Sequence, residues 1–161
     1  MKGKVAYFGV FMALALIFSY VEALVPIPMG IPGIKLGLAN LIIVVALYKV
    51  RIGETYILSV GRILLSGLLF GSMFSILYSM AGGVLSLTTM YFLKKTGKFS
   101  VMGVSLAGGV FHNLGQLIMA AIVLESSSIF YYFPILLIAG MLTGLLIGVI
   151  ANESIKRLRI R

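Results

Sequence analysis

The sequence predicts an all-α integral membrane protein. It reads as one domain over residues 1–161, a bundle of six transmembrane helices with both termini in the cytoplasm. Three observations predict it. The chain is 61% hydrophobic and 11% charged, with a mean hydropathy of +1.16, whereas soluble domains carry roughly 25% charge. A soluble fold of this size could not hide so much apolar surface, so lipid is the solvent. The apolar residues fall in runs close to the ~20 residues that cross a bilayer. Finally, all but two of the 13 basic residues fall at the ends of alternate runs. They are Lys2 and Lys4, then Lys49 and Arg51, then Lys94, Lys95 and Lys98, then Lys156, Arg157, Arg159 and Arg161. Cytoplasmic loops carry this excess, which places both termini inside. Lys35 falls outside, and Arg62 lies within a run.

The first helix is expected over 5–25. Its run is longer than a signal peptide's apolar core of about 7–15 residues. It ends in Glu22 and Pro26 without a small-residue cleavage site, so it reads as a mature helix. Next comes the stretch around which the chain is organised, Pro26 to Asn40. Pro26, Pro28 and Pro32 fix φ and remove donors, so none fits inside a regular helix. Irregular backbone at membrane depth is tolerated where it packs on protein or lines a cavity. The stretch therefore reads as a lid or wall over a site. The second helix, 36–48, is short and needs part of that loop to reach across. The remaining helices are expected over 54–70, 74–93, 101–124 and 129–151. Glu125 to Ser128 form the outer loop before the last one, with Tyr131 and Tyr132 as interfacial aromatics.

The net charge of +9 resembles a nucleic-acid signal, but its distribution is that of a membrane protein. The basic tail reads as a topology anchor or a contact for anionic lipid, and no nucleic-acid partner is expected. Cysteine is absent, which excludes disulfides, thiolate metal sites and Cys nucleophiles. There is no aspartate, and the acids are Glu22, Glu54, Glu125 and Glu153. With one histidine and no Cys or Asp to join it, no metal site is expected, and no cofactor.

Small residues recur at spacings of four: Gly9 and Ala13, Gly67 and Gly71, and Gly140, Gly144 and Gly148. Such stripes let helix backbones approach closely. They serve packing within the bundle or docking onto a partner membrane protein; docking applies best to the first helix.

Polar groups inside a membrane are expensive and mark function. Arg62 is near the middle of the third helix and is expected to face the bundle interior. Two readings stand: a structural pair with Glu22, or a clamp for an anionic group of a ligand. On the fifth helix, His112 and Gln116 are i,i+4 and Asn113 and Gln116 are i,i+3, so the three cluster. Gly108, Gly109 and Gly115 thin the helix beside them and are expected to leave space. Site lining is expected, with interhelical hydrogen bonding as the alternative. Lys35 and Asn40 lie on the outer side with Glu22, where Lys35 either snorkels or reaches an anionic ligand. Tyr78 and Ser79 add hydroxyls toward the outer half of the fourth helix. Gly82-Gly83 is no phosphate loop, since it lacks the following Lys-Ser/Thr.

These residues carry a family resemblance. Glu22 followed by Pro26-x-Pro28, then Gly33-Ile-Lys35-Leu-Gly37-Leu-Ala39-Asn40, then Arg62, then His112-Asn113-Leu-Gly115-Gln116, resembles the Gx transporter family. That family is often labelled heptaprenyl diphosphate synthase component I and is similar to the substrate-binding (S) components of energy-coupling factor transporters. The resemblance spans nearly the whole chain. It implies an S-component-like bundle in the cell membrane with its ligand toward the outer face, under the loop after the first helix. Glu22, Lys35, Asn40, Arg62, His112, Asn113 and Gln116 are then the substrate-binding candidates. It also implies docking of the first helix, here through Gly9 and Ala13, on a transmembrane coupling subunit served by separate ATPases. Some relatives resemble a membrane protein of quinone-linked extracellular electron transfer, which makes the ligand either an anionic metabolite or a quinone. Catalysis by prenyl transfer is not expected. It needs clustered carboxylates to hold Mg²⁺, and the four glutamates are dispersed, so no catalytic residue is assigned.

Overall fold

The computed structural model describes residues 2–24 and 37–158. The Pro-rich stretch with Pro26, Pro28, Pro32 and Lys35 lies outside the described residues. Six α-helices follow one another: α1 (Lys2–Leu24), α2 (Leu38–Lys49), α3 (Ile52–Phe70), α4 (Met73–Thr96), α5 (Val101–Val123) and α6 (Phe133–Arg157), with a 3₁₀ turn over Ser127–Tyr132 before α6. Among the described residues five segments are long and apolar enough to cross a membrane: Ala6–Leu24, Ile52–Phe70, Met73–Thr96, Val101–Val123 and Ser127–Arg157. The described residues contain no strand, and the chain is built as a multi-pass membrane protein.

Local chemistry sets the helix ends. Ser72 starts α4, accepting from the Ser75 N–H at 3.2 Å while the Ser75 hydroxyl accepts from the Ser72 N–H at 2.9 Å. Ser100 does the same for α5, accepting from the Gly103 N–H at 3.2 Å. Both satisfy N–H groups that a helix start leaves unpaired. Gly97 ends α4 at φ 68°, a conformation cheap only for glycine. The last run differs from its expectation. It breaks into the 3₁₀ turn and α6, because Pro134 lacks an N–H and belongs in a first helical turn.

The shortest helix is the central one. α2 has 12 residues, about 18 Å of axis against the ~30 Å apolar core of a bilayer. Its residues Ile42 to Leu47 are all buried, as expected of a helix that is apolar all round. Phe11 and Ala15 of α1, Leu58 of α3, Met90 of α4, Val104 of α5 and Ile147 and Ala151 of α6 join them in one core.

Around α2 the long helices pack through glycine. A Cβ on Gly109 would lie 2.2 Å from the Gly140 carbonyl oxygen, and one on Gly144 would lie 2.7 Å from that of Ser105. α5 and α6 therefore touch backbone to backbone. The Gly140–Gly144–Gly148 stripe is consumed inside the bundle. Gly82 and Gly115 bring α4 onto α5 in the same way. Gly9 has open space around its Cβ position, and Ala13 beside it is exposed.

One end of the bundle is tied by lysines. Lys94 Nζ donates to the Leu47 carbonyl at 2.6 Å and lies 4.9 Å from the centre of the Tyr48 ring. Lys49 Nζ donates to the Leu158 carbonyl at 2.6 Å. These cations satisfy carbonyls left over at helix C-termini. They gather the ends of α2, α4 and α6, with the neighbouring basic residues, on one side.

Candidate ligand cavity

Gly37, Asn40 and Val44 set the start of the short α2 along a polar space between the long helices. A cavity of about 100 Å³ opens there, lined from all six helices. Its walls are polar for a membrane interior. α1 gives Ser19 and Glu22, α2 Gly37 and Asn40, α3 Arg62 and Ser66, α4 Ser79 and Ser86, α5 Ser105, His112 and Asn113, and α6 Thr143.

The start of α2 is held from both sides. Glu22 Oε1 accepts from the Gly37 N–H, a residue at φ 74° just ahead of the helix. Arg62 Nη2 donates to Asn40 Oδ1 at 3.1 Å. Of the two readings of Arg62, the close pair with Glu22 is not formed: each charge binds the start of α2, and no ion pair of 4 Å or less joins them. Among the described residues such pairs join only Glu153 to Lys156 and Arg157.

Arg62 is 8% exposed, and its Nε finds no partner among the described residues. A guanidinium has five N–H donors, and a buried charge is costly unless well satisfied. Ser19 Oγ is likewise buried without a partner among the described residues. Two buried donors thus converge on the cavity with hydrogen-bonding capacity to spare.

The fifth-helix cluster divides. His112 lines the cavity with its ring against α4, 3.1 Å from where a Gly82 Cβ would lie. Asn113 also lines it, while its Nδ2 donates to the Leu136 carbonyl at 2.7 Å. Gln116 is buried against Gly82 and is not among the lining residues. Of the glycines beside this cluster, Gly108 and Gly109 line the cavity. A Cβ on Gly115 would meet the backbone of Ala81 and Gly82, one on Gly109 that of Gly140, and one on Gly108 the Met90 side chain, so the same glycines also let neighbouring helices approach. Ser79 reaches the cavity, while Tyr78 lies against the Phe74 ring. Lys35 lies outside the described residues, and Gly9 and Ala13 are remote from the cavity on the exposed face of α1.

Apart from Ser79, the serine and threonine wall was not singled out in the sequence, although a signal existed. Ser105, Gly108, Gly109 and His112 follow the i, i+3, i+4, i+7 pattern of one helix face. Ser19 and Glu22 are i,i+3 on α1. Ser86 Oγ donates to the Gly108 carbonyl at 2.8 Å and Ser105 Oγ to that of Gly144 at 2.7 Å, so both also tie helices together. No cluster of three or more His, Cys, Asp or Glu suited to a metal occurs among the described residues.

The family model described as heptaprenyl diphosphate synthase component I matches residues 11–154. No match is found among curated proteins or among solved structures. The matched stretch runs from α1 deep into α6 and contains every described cavity-lining residue named above. With most of its length matched, this chain belongs to the heptaprenyl diphosphate synthase component I family.

Proposed function

We propose that this protein is a membrane-embedded binding and uptake protein for a small molecule, similar to an S component of energy-coupling factor transporters. One observation carries the reading. A buried arginine whose Nε has no partner among the described residues lines a polar cavity inside an otherwise apolar bundle, and ionisable groups inside a membrane mark ligand paths. On this reading α2 completes a sixth crossing with the loop before it, the termini are cytoplasmic, and the cavity opens toward the outer face of the cell membrane. Glu22, Lys35, Asn40, Arg62, His112 and Asn113 serve the ligand, and Gln116 packs behind the cavity wall against Gly82. The exposed small residues Gly9 and Ala13 leave α1 able to meet a coupling subunit, with separate ATPases supplying energy. Substituting Arg62→Ala and Asn113→Ala should abolish uptake and binding in protein that still inserts and stays monodisperse. Normal binding by both variants would refute the assignment of the site.

The family description favours a second reading, a non-catalytic membrane partner in isoprenoid-quinone metabolism or quinone-linked electron transfer. The chain has no aspartate with which to hold Mg²⁺ on a diphosphate, so prenyl transfer would belong to the partner. Co-purification of a prenylated quinone would select this reading, and a water-soluble metabolite would select the first.

A further inference from the structure

The hydrogen-bonding polarity of the cavity walls narrows the ligand's chemistry, on the binding-protein reading given above. A hydroxyl has one donor and two acceptor lone pairs. Three hydroxyls around the cavity have already spent their donors on backbone. Ser86 gives its proton to the Gly108 carbonyl at 2.8 Å, Ser105 to that of Gly144 at 2.7 Å and Thr143 to that of Ala139 at 2.9 Å. What remains on these three hydroxyls is acceptor capacity. To donate into the cavity, each would have to give up one of those bonds. The opposite wall has the reverse character. Arg62, on α3, is a buried cation with Nε unpartnered among the described residues, and Ser19 Oγ is buried beside the same space. Glu22 lines the cavity as well, so a negative group is drawn to Arg62 and repelled from the α1 end.

We propose that the cavity takes a compact polar anion, with carboxylate or phosphate oxygens on Arg62 and a body whose N–H or O–H groups face Ser86, Ser105 and Thr143. Size agrees. About 100 Å³ is well below the roughly 300–1,000 Å³ of sites for drug-sized ligands, so a small metabolite or a single head group fills it. A quinone ring offers only carbonyl acceptors and would set them against acceptor hydroxyls. A prenyl diphosphate could place its head on Arg62, but its tail would meet the hydroxyl wall, where polar groups lose water without gaining a partner.

The test uses the full chain in nanodiscs, read by thermal shift and by calorimetric titration. The probes are a library of water-soluble carboxylates and phosphomonoesters bearing N–H or O–H groups, the methyl esters of those acids, a tailless benzoquinone and geranyl diphosphate. At least one acid should raise the melting temperature, and its neutral ester should bind at least about tenfold more weakly, since a charge-assisted hydrogen bond is lost. Which acid class binds identifies the anion. Arg62→Met should weaken that acid about 10- to 100-fold. Ser105→Ala should weaken it about fivefold, the size of one neutral hydrogen bond, in protein that still melts cooperatively. Equal binding of acid and ester would overturn the proposal, as would full affinity in both variants. Binding of the quinone or the diphosphate in place of the acids would overturn the ligand class and leave a small-molecule binding protein standing. Binding of no probe at all would contradict both.

Discussion

Arg62 is the residue on which the account turns, and its environment separates a functional charge from a structural one. A charge kept for stability is saturated by its surroundings. Arg62 has one hydrogen bond among the described residues, to Asn40, and an unpartnered Nε. Burying a cation costs several kcal/mol, and an apolar side chain of similar length relieves that cost, which offsets the one hydrogen bond lost to Asn40. Arg62→Met should therefore melt no lower than the native protein while losing its ligand. Lower stability with intact binding would make Arg62 structural. Asn40→Ala should behave differently. It takes a partner from a buried cation, which costs about 1–3 kcal/mol, and should lower the melting temperature even without ligand. Arg62 was legible in the sequence because a lone arginine in an apolar helix has few explanations. Its partner was not, because Glu22 is the nearest acid by topology, and only the fold shows that the α2 N-terminus comes between them.

At the scale of elements, α2 decides where the cavity lies. Its length was readable from the prolines before it and Lys49 after it. Its central position was not, since short apolar runs look alike whether they face lipid or protein. The glycines were ambiguous for a similar reason: spacing shows that two backbones can approach but not which ones do. The fold resolves each stripe. Gly144→Val would force a side chain into the α5 backbone at Ser105 and Leu106. Overpacking of this kind costs about 1–3 kcal/mol or more, so the melting temperature should fall sharply. Gly9→Val meets nothing within 4 Å, and the melting temperature of the isolated chain should stay within about 0.5 kcal/mol equivalent of native. An equal loss in both variants would contradict the packing described. The hydroxyl wall escaped notice because serine is unremarkable in membrane helices; only the convergence of three helices makes it a surface.

For the whole molecule, the charge pattern read along the chain becomes a pattern in space. Lys94 of α4, bonded to Leu47 of α2, and Lys49 of α2, bonded to Leu158 after α6, draw the basic ends together, away from Glu22 and the cavity. On the proposed reading the positive-inside rule sets this basic end in the cytoplasm. The chain has no cysteine of its own, so single substitutions report cleanly. In sealed cells, Ser126→Cys should react with an impermeant maleimide, and Lys98→Cys should react only after the membrane is opened. The opposite result would invert the topology and turn the cavity toward the cytoplasm. Family and helical class were accessible from sequence because lipid imposes strong rules on composition and charge. The ligand was not, because it depends on where a few donors and acceptors point.

The claim that joins these scales is that the cavity around Arg62 holds a small molecule. Native mass spectrometry tests it most directly, on gently purified full chain released from nanodiscs, beside Arg62→Met prepared identically. The account predicts a stoichiometric water-soluble adduct on the native chain and its loss from the variant. A native chain that carries no adduct, or an adduct that persists at equal occupancy in Arg62→Met, would contradict it.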